Sequence, residues 1–583
     1  MLKFLKYLGQ KKWFIIVIVF LILVQACCDL LLPIFMGEVI SLITEHSSSF
    51  TTMDIVFGSL KMFGAALGSS LCAVITGIIS SRLTAFMTAR VRYNLYSKIM
   101  LFSAYEKKEF GTSTLVTRVT NDINNVSTAY IMICRFAFYG PLITIAAFVL
   151  LLINNFKYQI ALLIAAAFLL LILIIYAVVR LALPHYRVLQ SRIDKVNLLT
   201  KENLEGLRVI RAYNAEAYHQ EKIDSSTQKL MKDNRFANRC LAFLNPVVQL
   251  TAGILLVGIT LLSSYLIKDN QFNFAGMTVA IQFSVLLLTG FVSLMFVIVL
   301  LPRLLVSSNR INEILELKLR IQDNQVSPTI NQKGIVEFRN VSFSYPGSPT
   351  PSLQNISFKV NQGETIAFIG ATGSGKTTII NLILRSFDTS SGSVLVDDID
   401  VKKYHLKDLF HRFGYVPQKP YLFRDTLRHN IFLGNVNASN QDYQDAINIS
   451  QTNEFINKLE KGENYEISQG GKNVSGGQRQ RISIARALIK KPEIFIFDDS
   501  FSALDYRTDK TIRSAIRNHY KQTTNIIVAQ RVGTIMDADQ IIVLDNGIIV
   551  GKGTHKGLLK SCKIYRDIAL SQLGDKELLN AQP

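Results

Sequence analysis

Eight residues beginning at Gly370 have the spacing of a loop that binds phosphate groups. They read Gly370-Ala371-Thr372-Gly373-Ser374-Gly375-Lys376-Thr377, and Thr378 follows. An apolar strand, Thr365–Ile369, precedes them and an apolar helix is expected from Thr378, which is the context that this motif requires. The glycines let backbone N–H groups close around phosphates, and the helix N-terminus adds positive potential. The motif predicts an ATP site, with Lys376 on the β- and γ-phosphates and the Thr377 hydroxyl on Mg²⁺.

A pair of acidic residues follows a second apolar strand. The strand is Ile494–Phe497, and Asp498 and Asp499 come directly after it. An acidic residue at the carboxyl end of a buried strand, beside a phosphate-binding loop, is where Mg²⁺ is held. We therefore expect Asp498 to be a magnesium ligand.

A third motif lies between the first two and points to a family. Val474-Ser475-Gly476-Gly477-Gln478, followed by Arg479-Gln480-Arg481, resembles the signature motif of ATP-binding-cassette (ABC) proteins. The three motifs stand in the order of that family, and the resemblance spans almost the whole chain. It implies that two cassettes meet head to tail, so that ATP lies between the phosphate-binding loop of one and the signature of the other.

The resemblance also assigns roles to residues that would not stand out alone. Tyr345 matches the aromatic residue that stacks on adenine, and Gln418 matches the glutamine that senses Mg²⁺ and the transport domain. Asp505 ends Ser502–Asp505, which resembles the loop that crosses the dimer interface. Two N-terminal segments resemble the cytoplasmic loops of ABC exporters, namely Gly111–Asp122, with Arg118, Asn121 and Asp122, and Glu202–Ile210.

Two residues depart from the family pattern, and both belong to the same nucleotide site. The family normally has Glu, which polarises the attacking water, where this chain has Asp499, and a His that contacts the γ-phosphate where it has Gln530. The Asp carboxylate falls roughly 1.5 Å short, and a misplacement of about 1 Å can lower a rate about 10²-fold. An amide cannot titrate as an imidazole does. Three residues would act in hydrolysis: Lys376, Asp499 and Gln530. Because Asp499 and Gln530 both depart from the family pattern, we expect this site to hydrolyse ATP slowly.

The opposite nucleotide site is predicted to be intact, because the signature differs from the family only at Val474, where Leu is usual. This asymmetry predicts a heterodimer with a different half-transporter that has Glu and His at the positions of Asp499 and Gln530. Relatives with this asymmetry are commonly bacterial multidrug exporters, which implies an amphiphilic small molecule, a drug or lipid, as substrate. Three alternatives stay open: a homodimeric exporter of peptides or lipids, a siderophore importer with the exporter fold, and an ATP-gated regulatory membrane protein.

The elements that must position these residues divide the chain in two. Residues 1–305 hold long apolar runs, whereas short β-branched strands and turns begin at Gly334. The predicted fold class is multi-domain: an α-helical polytopic membrane domain with six transmembrane helices, and an α/β P-loop ATP-binding cassette. The predicted bounds are 1–310 for the transmembrane domain with its long cytoplasmic loops, 311–333 for a linker, 334–573 for the cassette and 574–583 for a C-terminal tail.

Six apolar runs reach the roughly 20 residues that cross about 30 Å of hydrocarbon. Loop charges predict a cytoplasmic N-terminus and cassette, because the segment 40–54 lacks Lys and Arg whereas 82–130 and 180–240 are basic. The family resemblance implies a multi-pass protein of a bacterial cell membrane. Helical periodicity there predicts that helices two to five continue beyond the bilayer. The first run is too long for a signal peptide. The predicted spans are Trp13–Met36, Ile55–Ser80, Ile131–Ile153, Gln159–Val179, Leu241–Ile267 and Met277–Leu301.

The net charge of +20 and the six cysteines require no further partner. Membrane proteins keep Lys and Arg in cytoplasmic loops, so the charge does not indicate nucleic-acid binding. The cysteines lack the spacing of a metal site or a disulfide framework. Asp29 is the one acidic residue deep in a predicted span, and such a carboxylate indicates a cavity or an ion path. The alternative is a wet interface near the helix break at Pro33.

Overall fold

The computed structural model describes residues 2–45, 52–153, 158–269, 271–324 and 333–572. The chain forms two compact units. The helical unit comprises Met1–Met100 and Ser113–Leu317, and the α/β unit comprises Leu101–Thr112 and Lys318–Pro583. The tail expected at 574–583 and the segment 325–332 of the expected linker lie outside the described residues. The predicted domain bounds therefore stay predictions.

The helical unit is built from long helices, because backbone groups in hydrocarbon must form hydrogen bonds within their own segment. Six described helical segments are long and apolar enough to cross a membrane, which confirms the predicted number. A 3₁₀ segment, Leu2–Lys12, precedes them. The helices up to residue 317 are α1 (Trp13–Glu45), α2 (Thr52–Met100), α3 (Ala104–Phe110, part of the α/β unit), α4 (Thr112–Thr117), α5 (Ile123–Ile153), α6 (Tyr158–Glu205), α7 (Leu207–Ala212), α8 (Glu216–Ala242), α9 (Leu244–Lys268) and α10 (Phe274–Glu316).

Several of these helices are longer than a bilayer requires. Helix α2 has 49 residues and α6 has 48. At 1.5 Å per residue each is roughly 70 Å long, about twice the hydrocarbon thickness. This length agrees with the predicted extension beyond the bilayer. Helix α1 also runs past its predicted end, so Glu38 joins Asp29 as an acidic residue of this helix, and Glu38 pairs with Lys61 of α2 at 3.5 Å.

The segment that resembles the first cytoplasmic loop is tied to the end of α10. It contains a π-helical turn at Arg118–Asp122. Arg118 donates to the backbone oxygen of Arg310 at 2.9 Å and pairs with Glu313 at 2.8 Å. The Asp122 carboxylate accepts a hydrogen bond from the Ser307 hydroxyl at 2.7 Å. Both loop side chains are buried, so this turn is a fixed part of the helical unit.

The strands of the α/β unit form two main sheets and one short pair. The strands are β1 (Val336–Phe343), β2 (Leu353–Val360), β3 (Thr365–Gly370), β4 (Ser391–Val396), β5 (Ile399–Asp400), β6 (Phe413–Val416), β7 (Asp425–Thr426), β8 (Glu466–Ile467), β9 (Ile494–Asp498), β10 (Thr524–Val528), β11 (Gln540–Asp545) and β12 (Ile548–Gly553). The six-stranded sheet has the order β12-β11-β3-β10-β9-β6, in which only β12 is antiparallel to its neighbour. The other sheet has the order β2-β1-β4-β5, and β7 pairs with β8.

Helices cover the six-stranded sheet, whose parallel strands are buried on both faces as expected. In β10, Ile526 and Val528 join one hydrophobic core and Ile527 joins the other. Helix α11 begins at Lys376, two residues before the predicted start. The remaining helices are α11 (Lys376–Ile383), α12 (Leu406–His411), α13 (Leu427–Phe432), α14 (Asn440–Ile449), α15 (Asn453–Ile456), α16 (Gly476–Leu488), α17 (Tyr506–His519), α18 (Val532–Ile535), α19 (His555–Ser561) and α20 (Lys563–Gln572).

Helices α5 and α10 approach each other closely at two glycines, Gly140 and Gly290. A Cβ atom on Gly290 would lie 2.3 Å from Oγ1 of Thr144 and 2.9 Å from the backbone oxygen of Gly140. Small residues permit such an approach in lipid, where helices associate by packing rather than by the hydrophobic effect. The packing of these two helices therefore depends on the absence of a side chain.

Replacing Gly290 with Ala should force α5 and α10 apart and destabilise the chain by about 1–3 kcal/mol, the usual cost of overpacking. Thermal unfolding in lipid nanodiscs should show a lower midpoint than for the unchanged chain. Gly253→Ala in α9 is the matched control, since a Cβ atom there has nothing within 4 Å. Equal midpoints for the two variants would contradict the packing argument.

Candidate nucleotide-binding site

The phosphate-binding motif forms the turn between β3 and α11. Gly375 precedes α11 with a φ of 103°, a conformation that residues with a Cβ atom rarely adopt. A Cβ atom on Gly370 would lie 2.1 Å from the backbone oxygen of Leu544 in β11. Both positions therefore require glycine, and the turn places free backbone N–H groups at the N-terminus of α11.

The Lys376 ammonium group lies inside this turn. Its Nζ atom donates to the backbone oxygens of Gly370 at 2.9 Å and Ala371 at 2.7 Å, and to the Ser374 hydroxyl at 3.3 Å. Burial lowers the pKa of Lys376, and the nearby carboxylate of Asp499 opposes that shift. The cation is thus held within the loop whose phosphates it is predicted to bind.

Strand register brings three further segments to the same edge of the sheet. Parallel strands end side by side, so residues that follow them lie close together. Asp499 follows β9, Gln530 follows β10 and Gln418 follows β6, each by one or two residues. The ladder pairs nearest this edge are Asp498 with Val528 and Phe497 with Val416.

Asp498 lies beside the phosphate-binding loop, as predicted for a magnesium ligand. It is 3% exposed and accepts a long hydrogen bond, 3.4 Å, from the Thr377 hydroxyl. Burial raises the pKa of Asp498 to about 6, and the charge of Asp499 adds to the rise. Mg²⁺ prefers oxygen ligands. The carboxylate of Asp498, the hydroxyl of Thr377 and the amide oxygen of Gln418 offer that chemistry.

Asp499 contacts the residue that stands at the family's histidine position. Its Oδ2 atom accepts hydrogen bonds from Nε2 of Gln530 at 2.8 Å and from Nε2 of Gln418 at 3.3 Å. Burial raises the pKa of Asp499, while the Gln418 hydrogen bond and the Lys376 charge lower it. Its backbone has a φ of 49°, a left-handed conformation that Asp adopts more readily than most residues. The two departures from the family pattern are therefore direct partners.

Tyr345, the predicted adenine-stacking residue, is fixed at both ends. Its hydroxyl lies 3.1 Å from Oγ1 of Thr378 in the first turn of α11. Its ring packs edge-on against Phe343 and Phe387, with centroids 4.9 and 5.2 Å away. The ammonium of Lys108, in α3, lies 5.8 Å from the ring centroid.

Helix α3 brings the chain before the predicted first cytoplasmic loop into the α/β unit. Ser103 and Glu106 form a reciprocal cap at its start, and Tyr105 packs edge-on against Phe387 at 4.6 Å. Burial raises the pKa of Glu106, but hydrogen bonds, chiefly from the Arg320 backbone at 2.9 Å, outweigh it and leave the pKa lowered. Sequence reasoning misses α3, because the loop that it predicts begins at Gly111. The spacing of Ser103 and Glu106 is a pattern typical of helix starts and could have indicated this helix.

The signature residues form the start of α16. The Ser475 hydroxyl accepts from the backbone N–H of Gln478 at 3.2 Å, and the Gln478 side chain accepts from the Ser475 N–H at 2.9 Å. Gly476 and Gly477 form the first turn between them. Asp505 likewise caps α17, accepting from the Thr508 N–H at 3.0 Å. Among the described residues, no hydrogen bond joins the signature to the phosphate-binding loop of the same chain.

A separate polar cluster surrounds Asp29 in the helical unit. Its Oδ1 accepts from the Ser69 hydroxyl at 2.5 Å, and its Oδ2 accepts from the Tyr139 hydroxyl at 2.8 Å. The carboxylate of α1 is thus shared with α2 and α5. These hydroxyl groups offset part of the cost of a carboxylate in a membrane span.

Comparison with known proteins agrees with this architecture. The family described as ABC transporter transmembrane region matches residues 15–291, and the family described as ABC transporter matches residues 353–502. An ABC transporter ATP-binding protein of Mycobacterium tuberculosis (strain CDC 1551 / Oshkosh) is 33% identical over 557 residues, which cover 94% of each chain. The chain belongs to the ABC transporter family.

Two further proteins are similar to this ABC transporter, one in sequence and one in structure. The ATP-dependent lipid A-core flippase of Yersinia pestis bv. Antiqua (strain Antiqua) is 29% identical over 523 residues, 88% of each chain. The structure of a bacterial Atm1-family ABC exporter with ATP bound has a TM-score of 0.80 and 23% identity, covering 96% of this chain and 98% of that one. The predicted family and fold class are confirmed, and the role of each site residue stays a prediction.

Replacing Glu106 with Gln should loosen α3, because the amide keeps one acceptor oxygen and turns its NH2 group toward the backbone N–H of either Ser103 or Arg320. Losing hydrogen bonds to a charged group costs about 1.5–3 kcal/mol. Hydrogen exchange of the backbone amides in 101–112 should become faster. Glu109→Gln is the control, since Glu109 is largely exposed and 4.0 Å from Arg320. Equal exchange in both variants would show that Glu106 does not hold the helix.

Proposed function

We propose that this ABC transporter chain is the degenerate-site half of a heterodimeric exporter, and that its signature completes the active site of a different subunit. The observation that carries the proposal is the 2.8 Å hydrogen bond from Gln530 to Asp499. It joins the two residues that replace the family's water-activating Glu and γ-phosphate His. ATP-driven transport follows from the family, and what is proposed is the division of labour between two unlike chains.

Asp499 is poorly arranged to activate water. The basic atom of a general base must lie within about 2.6–3.2 Å of the heavy atom that carries the proton it takes. The Asp499 side chain is one methylene shorter than Glu, and its Oδ2 atom already accepts two amide N–H groups, from Gln530 and Gln418. An amide donates hydrogen bonds but cannot take up a proton near neutral pH. We therefore expect the site to hydrolyse ATP slowly.

ATP binding rests on other residues, which keep the family pattern. The backbone of 370–375 and Lys376 would hold the phosphates, and Tyr345 would stack on the adenine. Thr377, Asp498 and Gln418 would hold Mg²⁺. ATP binding supplies the free energy for closing two cassettes on each other. A site of this kind can bind nucleotide even where the residues at 499 and 530 support little hydrolysis.

Two exposed surfaces support a second half-transporter as partner. The signature lies at the exposed N-terminus of α16, where a partner's ATP could meet Ser475. At the junction of α6 and α7, Leu204, Val209 and Tyr213 are at least 61% exposed. Exposed apolar groups of this kind mark interaction surfaces. We infer that the partner's cassette covers this junction, on the cytoplasmic side of a bacterial cell membrane.

The proposed substrate is an amphiphilic small molecule, either a drug or a lipid. The relative from Yersinia pestis acts, by its name, on lipid A-core. In this chain the Asp29 cluster offers only oxygen atoms, from one carboxylate and two hydroxyl groups. Such a cluster favours a positively charged group. We therefore propose that amphiphiles with a cationic group are preferred.

The chain purified alone in lipid nanodiscs should bind ATP and turn it over well below about 1 s⁻¹, the low end for enzymes. The double variant Asp499→Glu, Gln530→His should raise the rate at least about tenfold, because it restores the base and the phosphate contact. Lys376→Ala in the double variant is the control and should remove the gain. Turnover near 1 s⁻¹ by the unchanged chain would instead support the homodimeric exporter.

Asp29→Asn should lower export of cationic amphiphiles about five- to tenfold, since one charge contact at about 4 Å contributes on the order of 1 kcal/mol even in water and more where water is excluded. Export of neutral compounds of equal size should change little. Accumulation of dye pairs in cells that express the transporter measures both. Ser69→Ala is the control, because it removes a hydrogen bond to Asp29 and keeps the charge. Equal losses for both dyes would assign Asp29 a structural role.

A further inference from the structure

The last described helix, α20, contacts the segment that carries Gln530. The side-chain amide of Gln572 donates from Nε2 to the backbone oxygen of Gln530 at 2.8 Å, and its Oε1 accepts from the backbone N–H of Val532 at 2.8 Å. The Gln530 carbonyl can only accept a hydrogen bond and the Val532 N–H can only donate one. A single orientation of the Gln572 amide therefore satisfies both groups. Gln572 therefore bridges the backbone on both sides of residue 531.

The position of Gln572 follows from how α20 packs. Tyr565, Ala569 and Gln572 are spaced i, i+4 and i+7, which places them on one face of the helix. Tyr565 and Ala569 are fully buried in the same hydrophobic core as Val532. The Tyr565 hydroxyl also lies 2.7 Å from Nδ1 of His555, at the start of α19. Helix α20 is thus held in place by Tyr565 and Ala569, and its last described residue, Gln572, contacts the loop between β10 and α18.

That loop contacts two other parts of the nucleotide site. The Gln530 side chain donates to Asp499, and the Arg531 guanidinium donates to the backbone oxygens of Ser502 at 3.1 Å and Leu504 at 3.5 Å. Residues 502–505 form the segment predicted to cross the dimer interface. Any shift of the backbone at 530–532 therefore moves the Gln530 amide relative to Asp499.

We propose that Gln572 is a positioning residue for Gln530, so that α20 sets how strongly this nucleotide site distinguishes ATP from ADP. The inference rests on the proposed function in one respect, that Gln530 faces the γ-phosphate. Asn would be too short by one methylene to bridge the same two backbone groups. Gln is therefore the one residue type whose length and paired donor and acceptor fit this bridge.

The test measures equilibrium binding of a non-hydrolysable ATP analogue and of ADP, with Mg²⁺, to the full chain in lipid nanodiscs. In Gln572→Ala, affinity for the analogue should fall about three- to tenfold, the value of one hydrogen bond, while ADP affinity stays within about twofold. Gln572→Glu keeps the acceptor for the Val532 N–H but loses the donor to the Gln530 backbone oxygen. The affinity of this variant for the analogue should therefore fall at least as far. Ser571→Ala is the control, because the Ser571 hydroxyl donates to the backbone oxygen of Ile568 in its own helix and, within the described part of the chain, forms no hydrogen bond to the loop at 530–532.

Hydrogen exchange gives a second readout on the same samples. The Val532 amide should exchange faster in Gln572→Ala than in Ser571→Ala, since its acceptor is gone. Unchanged ratios of analogue to ADP affinity in Gln572→Ala, or equal exchange in both variants, would overturn the inference. Fast ATP turnover by the unchanged chain, with the Gln572 effects present, would reject the degenerate site and leave the positioning role standing.

Discussion

The carboxylate of Asp499 joins three strand ends of the cassette, because Asp499 follows β9 and accepts hydrogen bonds from side chains that follow β6 and β10. Register in the parallel sheet places the residues after β6, β9 and β10 at one edge. The result is a buried oxygen that accepts amide hydrogens from Gln418 and Gln530. A buried carboxylate is stable only if it is hydrogen-bonded or faces a cation. The hydrogen bonds that stabilise this edge of the sheet therefore limit the ability of the Asp499 carboxylate to act as a base.

The helical unit obeys a different constraint, since lipid provides no hydrogen bonds to backbone or side chain. Its hydroxyl groups donate to backbone oxygens of their own helix, as Thr251 does, or to another helix, as Ser69 and Tyr139 do to Asp29. Helices α5 and α10 pack closely where side chains are absent, at Gly140 and Gly290. A carboxylate that ties three helices together can stabilise one packing and still attract a cation, because a carboxylate has about four acceptor positions.

Sequence reasoning succeeds here where the determining residues are contiguous or strictly periodic. The phosphate-binding turn between a strand and a helix, and the six apolar spans, are each specified within one segment. The contacts of Lys108 with Tyr345 and of Gln572 with Gln530 join residues far apart in sequence, and neither Lys nor Gln is unusual at a helix surface. The start of α11 at Lys376 rather than Thr378 follows from local backbone geometry, because Gly375, with a φ of 103°, already turns the chain.

The replacements at 499 and 530 are best understood as one unit. The Gln530 amide needs an acceptor at 2.8 Å, and the short Asp499 side chain provides it from a left-handed backbone position. A longer Glu would carry its carboxylate past this amide, and an imidazole would meet Asp499 with different geometry. Groups in one hydrogen-bond network do not contribute independently, so restoring either family residue alone would break the existing bond without assembling the pair that activates water. Binding and hydrolysis can thus separate within one fold, since most of the residues predicted to hold the phosphates lie outside this network.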